Sequence, residues 1–404
     1  MPVAHRISQY STDVVSLQGW RLDDEFPYGP QGAKPKRIVI CPNPPPKAFL
    51  IGGHRYLFKE PTGSRAYQIW SEVIAYELAR ELGLQVPPAF LAQGPGNGSP
   101  GVLIEFFYGH ISDPEYRFVH AIERLQGLGF AIDYNRGSLH GNVELCRLHA
   151  VPNWRAWWAK TLAFDALIGN TDRHSENWGF LALLGVAGVE HYLAPVFDNG
   201  TSLGFIIQEK DLARFTEPTR LAQLVRQGKH HFGWVPGDHE GAQHARLCRT
   251  YRERFSGFGN AMDAVLNLSD ARIQRIVDWA CSFDFPLPFT EARRLGGASW
   301  RHSFAPVVMR WLACWELDCG ALDHTPGGAS RVDTRLAGTI YHYRSVSLGG
   351  RSPRARPRWF RLRLFRCPDL SKLQHGPECR AAPAGRLCRL SSFRPKDATR
   401  RRLS

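Results

Sequence analysis

The sequence predicts an α+β fold in two lobes, a small β-rich one followed by a larger α-helical one, with a basic C-terminal tail apart from both. Three observations carry this. Short apolar runs broken by Pro- and Gly-rich turns crowd residues 36–109. Helical spacing of apolar residues prevails from 110 to about 320, interrupted by one hairpin pattern. After residue 330 the composition changes abruptly: nineteen Lys+Arg stand against four Asp+Glu, leaving thirty-two basic and thirty-three acidic groups before it. The net charge of +14 is therefore a property of the tail, and the body is not a basic nucleic-acid-binding surface.

The elements follow in order. Residues 1–34 are polar and turn-rich, without a clear period. "KRIVI" starts a β-like region that continues through the Pro-rich turn "CPNPPPK", the run "AFLI", a "GGHR" turn and "YLFKEP". The Gly-Gly loop between apolar runs predicts a hairpin there. In "AYQIWSEVIAYELARELGL", Ile69, Val73, Tyr76 and Leu82 keep helical spacing, with stop signals at Gly83 and Pro87-Pro88. "VLIEFF" reads as another strand, and 110–150 as mostly helical. Trp154, Trp157, Trp158, Leu162 and Leu167 predict a buried helix over 153–168. Two strands around the Gly185–Gly188 turn come next, then helices near 245–266, 270–281 and 304–315.

Composition bounds the function. A chain of 404 residues that is 43% hydrophobic can bury a sizeable core in each of two lobes. With no run of eighteen apolar residues and no basic-then-apolar start, it is expected to be a soluble, cytoplasmic protein. Its nine cysteines are scattered, odd in number and never in a C-x-x-C pair, which fits reduced thiols better than disulfides or structural zinc. The Arg-heavy tail, with little periodicity, reads as disordered; a nucleic-acid contact and an aberrant reading frame are the alternatives.

The chemistry concentrates in "LIGNTDRHSENWGF" and "PVFDNG". Asp172 and Asn177 lie five apart in the loop after the buried helix, and Asp198 ends the hairpin that follows. Phosphoryl transfer needs an acid near the incoming hydroxyl and oxygen ligands for a phosphate-bridging magnesium, which protein kinases supply in this order. Upstream, Lys59 closes the strand "YLFK" and Glu72 follows thirteen residues later in a helix, the arrangement that orients nucleotide phosphates. Taken singly, each residue has a plainer reading. Asp172 and Asn177 are helix-end and turn residues, "DNG" is a turn, Lys59 is a solvated strand end, and Glu72 sits on the polar face of an amphipathic helix. His174 is a loop histidine or a zinc ligand without partners at ligand spacing. His230, His231, His239 and His244 read as a polar loop, with a metal site as the alternative.

These two motifs, N-x-D-R-H-x-x-N and a proline-preceded Asp, resemble those of the HipA-like serine/threonine kinases of bacteria. "SEVIAYELARELGLQVPPA" is similar to the same family's helix and its E-L-G-L-x-V-P run. The likeness spans roughly 36–320. It implies a two-lobed protein-kinase-like fold that uses ATP and Mg²⁺. Asp172 would be the catalytic acid/base, Asn177 and Asp198 the metal ligands, and Lys59, held by Glu72, the phosphate-binding lysine. Arg173 and His174 would support the motif. The backbone of Glu105, Phe106 and Phe107 would face adenine at the hinge. The chain then divides into a 1–35 extension, a 36–109 N-lobe, a 110–322 C-lobe and a 323–404 tail. The implied partner is a protein with a Ser/Thr acceptor, with autophosphorylation expected. An antitoxin-like partner is a further call, as is nucleic acid at the tail. A lipid or small-molecule kinase, or a non-catalytic nucleotide-binding module, are the competing functions. Two departures stand out. "CPNPPPKAFLIGG", where a glycine loop is expected over the phosphates, lacks G-x-G-x-x-G, so other amides or Lys47 must serve. The stretch before Lys59 is also shorter than in full-length HipA toxins.

Overall fold

The computed structural model describes residues 8–23, 36–128 and 137–294, except 187, 216–219, 221–222, 224–226, 237 and 239. The expected helix at 304–315 and the Arg-rich tail lie outside the described residues.

Six strands form the first sheet: β1 (Val15–Ser16), β2 (Arg21–Leu22), β3 (Lys36–Ile40), β4 (Arg55–Lys59), β5 (Ala89–Gln93) and β6 (Pro100–Glu105). Their order is β1-β5-β6-β4-β3-β2, antiparallel except for the β1–β5 pair. The segment read as an N-terminal extension thus contributes both edge strands. Ahead of β1, Gln9 adds a side-chain rung, accepting from the Leu91 amide at 2.7 Å and donating to its carbonyl at 2.9 Å.

The hairpin expected around "GGHR" is wider than the sequence indicated. β3 pairs directly with β4, Lys36 opposite Lys59 and Ile40 opposite Arg55, and residues 41–54 are the connection. "AFLI" forms no strand. Pro44, Pro45 and Pro46 offer no amide donors to a ladder, and Phe49 and Leu50 turn into the core instead.

Helix α1 (Gln68–Glu81) stops where Gly83 takes φ +62. Every residue from Gln68 to Ala79 is buried, because the helix is covered on two sides. It packs on β5 and β6 and also against α7 (Asp270–Cys281), the last described helix. Beyond α7 the chain closes over Trp70. The indole donates to the Leu287 carbonyl at 2.8 Å, and Phe283, Phe285 and Phe289 surround its ring.

The second lobe is mainly helical. Its order is β7 (Tyr116–His120), α2 (Ala121–Gly127), α3 (Leu139–Leu148), α4 (Trp154–Ile168), β8 (Gly179–Gly185), β9 (Gly188–Leu193), α5 (His244–Arg254) and α6 (Gly259–Leu266), followed by α7. The stretch 110–150, expected to be mostly helical, opens with a strand: β7 pairs with β8, which pairs with β9. Five residues of alternation are too few to separate from helical spacing until the partner strand is known. α4 is the axis of this lobe, buried from Trp158 to Ile168 except where Lys160 reaches the surface, with α5 and α6 packed on it. No described helix is long and apolar enough to cross a membrane.

Candidate active site

Lys59 ends β4 under α1, and its ammonium donates to Glu72 Oε1 at 2.7 Å and Asp198 Oδ1 at 2.8 Å. Glu72 is buried, which rules out the plain surface reading of that position. Burial alone would lower the lysine pKa, but Asp198 and then Glu72 outweigh it and hold the pKa above its ordinary value. The second Glu72 oxygen accepts the Asn199 amide at 3.0 Å, tying α1 to the segment carrying Asp198. Asp198 itself takes φ +56, a left-handed conformation that a non-glycine residue adopts only when its surroundings enforce it.

The loop 170–177 begins where α4 ends at Gly169, φ +63. Its anchor is Arg173, fully buried. The guanidinium bonds both oxygens of Asp165 in α4, at 3.1 and 2.8 Å, and Asn199 Oδ1 at 2.7 Å. It also donates to the carbonyls of Asn177 and Phe197. Asp165 is held well below the ordinary carboxylate range: burial opposes this, and Arg173 and His230 overcome it. Asn170 Oδ1 accepts from the Asp172 amide and the Thr201 hydroxyl, each at 3.1 Å. The backbone of the loop is thus fixed at several points, while the Asp172 side chain stays 40% exposed.

The histidines are not the polar loop expected of them. His230 and His244 are buried, and His230 Nε2 lies 3.1 Å from Asp165 Oδ2. His231 reaches the other way, its Nδ1 at 3.8 Å from Asp172 Oδ1, with His174 Nε2 at 3.9 Å from the same oxygen. His239 lies outside the described residues.

Asp172, Asn177, Asp198 and Lys59 line one cleft of about 610 Å³. Asn177 Nδ2 donates to the Asp172 carbonyl at 2.6 Å, which leaves its Oδ1 as the donor atom for a cation. An amide oxygen and the Asp198 carboxylate, lining the same cleft, are the kinds of oxygen ligand that suit Mg²⁺ with its waters. The cleft also has an apolar lining, which includes Leu57, Ile104, Phe107, Phe118, Ile122 and Phe197. Phe107 and Phe197 are stacked at 5.5 Å, a wall suited to a flat ring.

The three expected hinge residues differ. The Glu105 amide bonds the Pro88 carbonyl, the Phe106 amide bonds the Arg55 carbonyl, and the Phe106 carbonyl faces His54 Nε2 at 2.7 Å. The Phe107 amide has no intramolecular partner among the described residues.

Topology also moves the phosphate-covering segment. "CPNPPPKAFLIGG" connects the ends of β3 and β4 remote from Lys59, and Lys47 is paired with Asp13 at 2.8 Å, away from the cleft. The chain enters β3 beside Lys59 from residues 24–35, which lie outside the described residues. That register brings in a lysine the sequence reading missed. Lys36 lines the cleft, its pKa lowered by burial against the opposing pull of Asp198. Only the strand pairing reveals it.

The family model described as the HipA-like C-terminal domain matches residues 29–259. Among solved structures, the Helicobacter pylori proinflammatory kinase CtkA aligns over 77% of this chain and 100% of its own, at 15% identity and a TM-score of 0.55. The Shewanella oneidensis MR-1 HipA, solved with HipB and its operator DNA, aligns over 72% of this chain and 68% of its own, at 15% identity and a TM-score of 0.39. The Golgi casein kinase with Mn/ADP bound aligns over 78% and 75%, at 12% identity and a TM-score of 0.35. The likeness to CtkA identifies the fold as kinase-like and, at that identity, speaks to fold alone. No curated protein matches the chain.

Proposed function

This chain belongs to the HipA-like C-terminal domain family, and from that premise we propose that it is an ATP- and Mg²⁺-dependent kinase of protein Ser/Thr hydroxyls that also phosphorylates itself. One observation carries the reading: Lys59, Asp172, Asn177 and Asp198, drawn from distant parts of the sequence, line a single cleft together with the aromatic rings of Phe107, Phe118 and Phe197.

The roles follow from position. Phe107, Phe118 and Phe197 would enclose the adenine. Lys59, fixed by Glu72, would bind the α- and β-phosphates, with Lys36 beside it. Asn177 and Asp198 would hold magnesium, which when bound neutralises charge on the phosphates. The acceptor hydroxyl forms the new P–O bond as the bond from the γ-phosphorus to ADP breaks, and its proton passes to Asp172. Asp172 suits this because its carboxylate faces the cleft while its backbone is held at both N–H and C=O. We assign 36–109, with β1 and β2 attached, to the N-lobe, and 110–322 to the C-lobe. The cytoplasm is the proposed location. An antitoxin-like protein and, through the tail, nucleic acid are the partner classes to test by co-purification.

Incubation with labelled ATP decides the reading. Label on Ser or Thr of the protein itself or of added protein, dependent on Mg²⁺, is expected. Asp172→Asn should lower transfer by about 10²–10⁴-fold while Mg²⁺–ATP still raises the melting temperature. Full transfer by that variant would overturn the assignment of Asp172. Label appearing only in lipid or small molecules would keep the fold and change the acceptor.

A further inference from the structure

At the end of β4 remote from Lys59, three residues from two separate stretches of chain converge. His54 immediately precedes β4, and the β4–β6 register sets Tyr56 opposite Glu105, so His54 lies beside Phe106. After Phe107 the chain bends at Gly109, φ +80, and brings His110 back onto His54, the two rings stacked at 4.1 Å. Beside them the Glu105 carboxylate is fully buried, one oxygen accepting from the Tyr56 hydroxyl at 3.2 Å and the other 3.8 Å from His110 Nε2. One donor atom from each of His54, Glu105 and His110 lies within 4.8 Å of the other two.

These spacings are informative. At 3.8 Å the Glu105–His110 contact is too long for a hydrogen bond. Tetrahedral zinc with ligand bonds of 2.0–2.1 Å sets its donor atoms about 3.3 Å apart, so the set closes when the stacked rings turn out of parallel and their in-plane lone pairs converge. The bond from His54 Nε2 to the Phe106 carbonyl is the outer contact that metal-bound imidazoles make, fixing the ring with Nδ1 as acceptor. Cys41, joined to the Gly53-His54 turn by two main-chain bonds, does not bring its sulfur into the group. The donors are therefore two imidazoles and one carboxylate, a set that favours zinc and its neighbours over magnesium.

We propose that His54, Glu105 and His110 form a binding site for a zinc-class divalent cation, which ties the start of β4 to the end of β6 and to the connector into the second lobe. The site is separate from the Asn177/Asp198 pair and does not depend on kinase activity.

The test uses the full chain after chelator treatment, titrated with Co²⁺ and then displaced by Zn²⁺. One equivalent of Co²⁺ should bind with the visible absorption of a tetrahedral site, unaffected by excess Mg²⁺. Affinity should fall at least tenfold in His110→Gln and His54→Gln, and Zn²⁺ should raise the melting temperature of the parent chain only. His110→Gln is the safer variant, since its ring is the more exposed of the two, and equal melting temperatures in chelator would show that both variants fold. Asp198→Asn should bind Co²⁺ like the parent chain, which separates this site from the kinase reading. No tetrahedral absorption, or equal binding by both histidine variants, would overturn the proposal by assigning the metal to other histidines.

Discussion

Two buried charge clusters flank the 170–177 loop, built from the same chemistry and put to opposite uses. Around Lys59, one ammonium serves two carboxylates, and Asp198 remains 30% exposed at the cleft. Around Arg173, one guanidinium serves Asp165, Asn199 and two carbonyls, and nothing in the cluster reaches solvent at Arg173 or Asp165. The first cluster can exchange a partner for a ligand; the second cannot. Access, more than charge, separates a group placed for chemistry from one that holds the frame.

The comparison can be broken by substitution. Arg173→Met should have the largest effect, because it leaves Asp165 charged in a sealed site: about 3–5 kcal/mol of stability lost and a fall of about 10 °C in melting temperature. Lys59→Met should instead cost at least about a hundredfold in phosphoryl transfer with a smaller fall in melting temperature, since Asp198 can be hydrated from the cleft. Equal thermal losses in the two variants would erase the distinction between frame and reactive cluster.

The smallest effect concerns pH. His244 is pushed down to about 3, chiefly by burial and then by neighbouring His230, and neither of its ring nitrogens finds a hydrogen-bond partner among the described residues. As pH falls, the unfolded chain takes up this proton first, near 6.5, so the stability contribution is complete above 6.5 and is lost towards 3. A His244→Leu variant should show a shallower decline in melting temperature between pH 6.5 and 4 than the parent chain; an unchanged slope would remove His244 as its source.

How much of this was legible depends on how far apart the partners lie. Lys59, Glu72, Asp172, Asn177 and Asp198 could be chosen from order and spacing; the structure lines one cleft with four of them and pairs the fifth, Glu72 inside α1, with Lys59. The kinase-like fold was legible for the same reason. Lys36 was not, because its place beside Lys59 exists only in the β3–β4 register. Nor was His230, whose partner Asp165 is 65 residues away, so a run of histidines looked like a wet loop. The Pro-rich stretch misled in the other direction: its nearness to Lys59 in sequence suggested phosphates, while the hairpin carries it to the opposite end.

The aromatic closure over Trp70 has a consequence for control. Glu72 rides on α1, and drawing α1 away from Lys59 would strip the indole from Phe283, Phe285 and Phe289 and break its bond to Leu287. The stretch 283–289 is therefore a latch on the first lobe: moving α1 off the Lys59–Glu72 pair costs this aromatic packing as well.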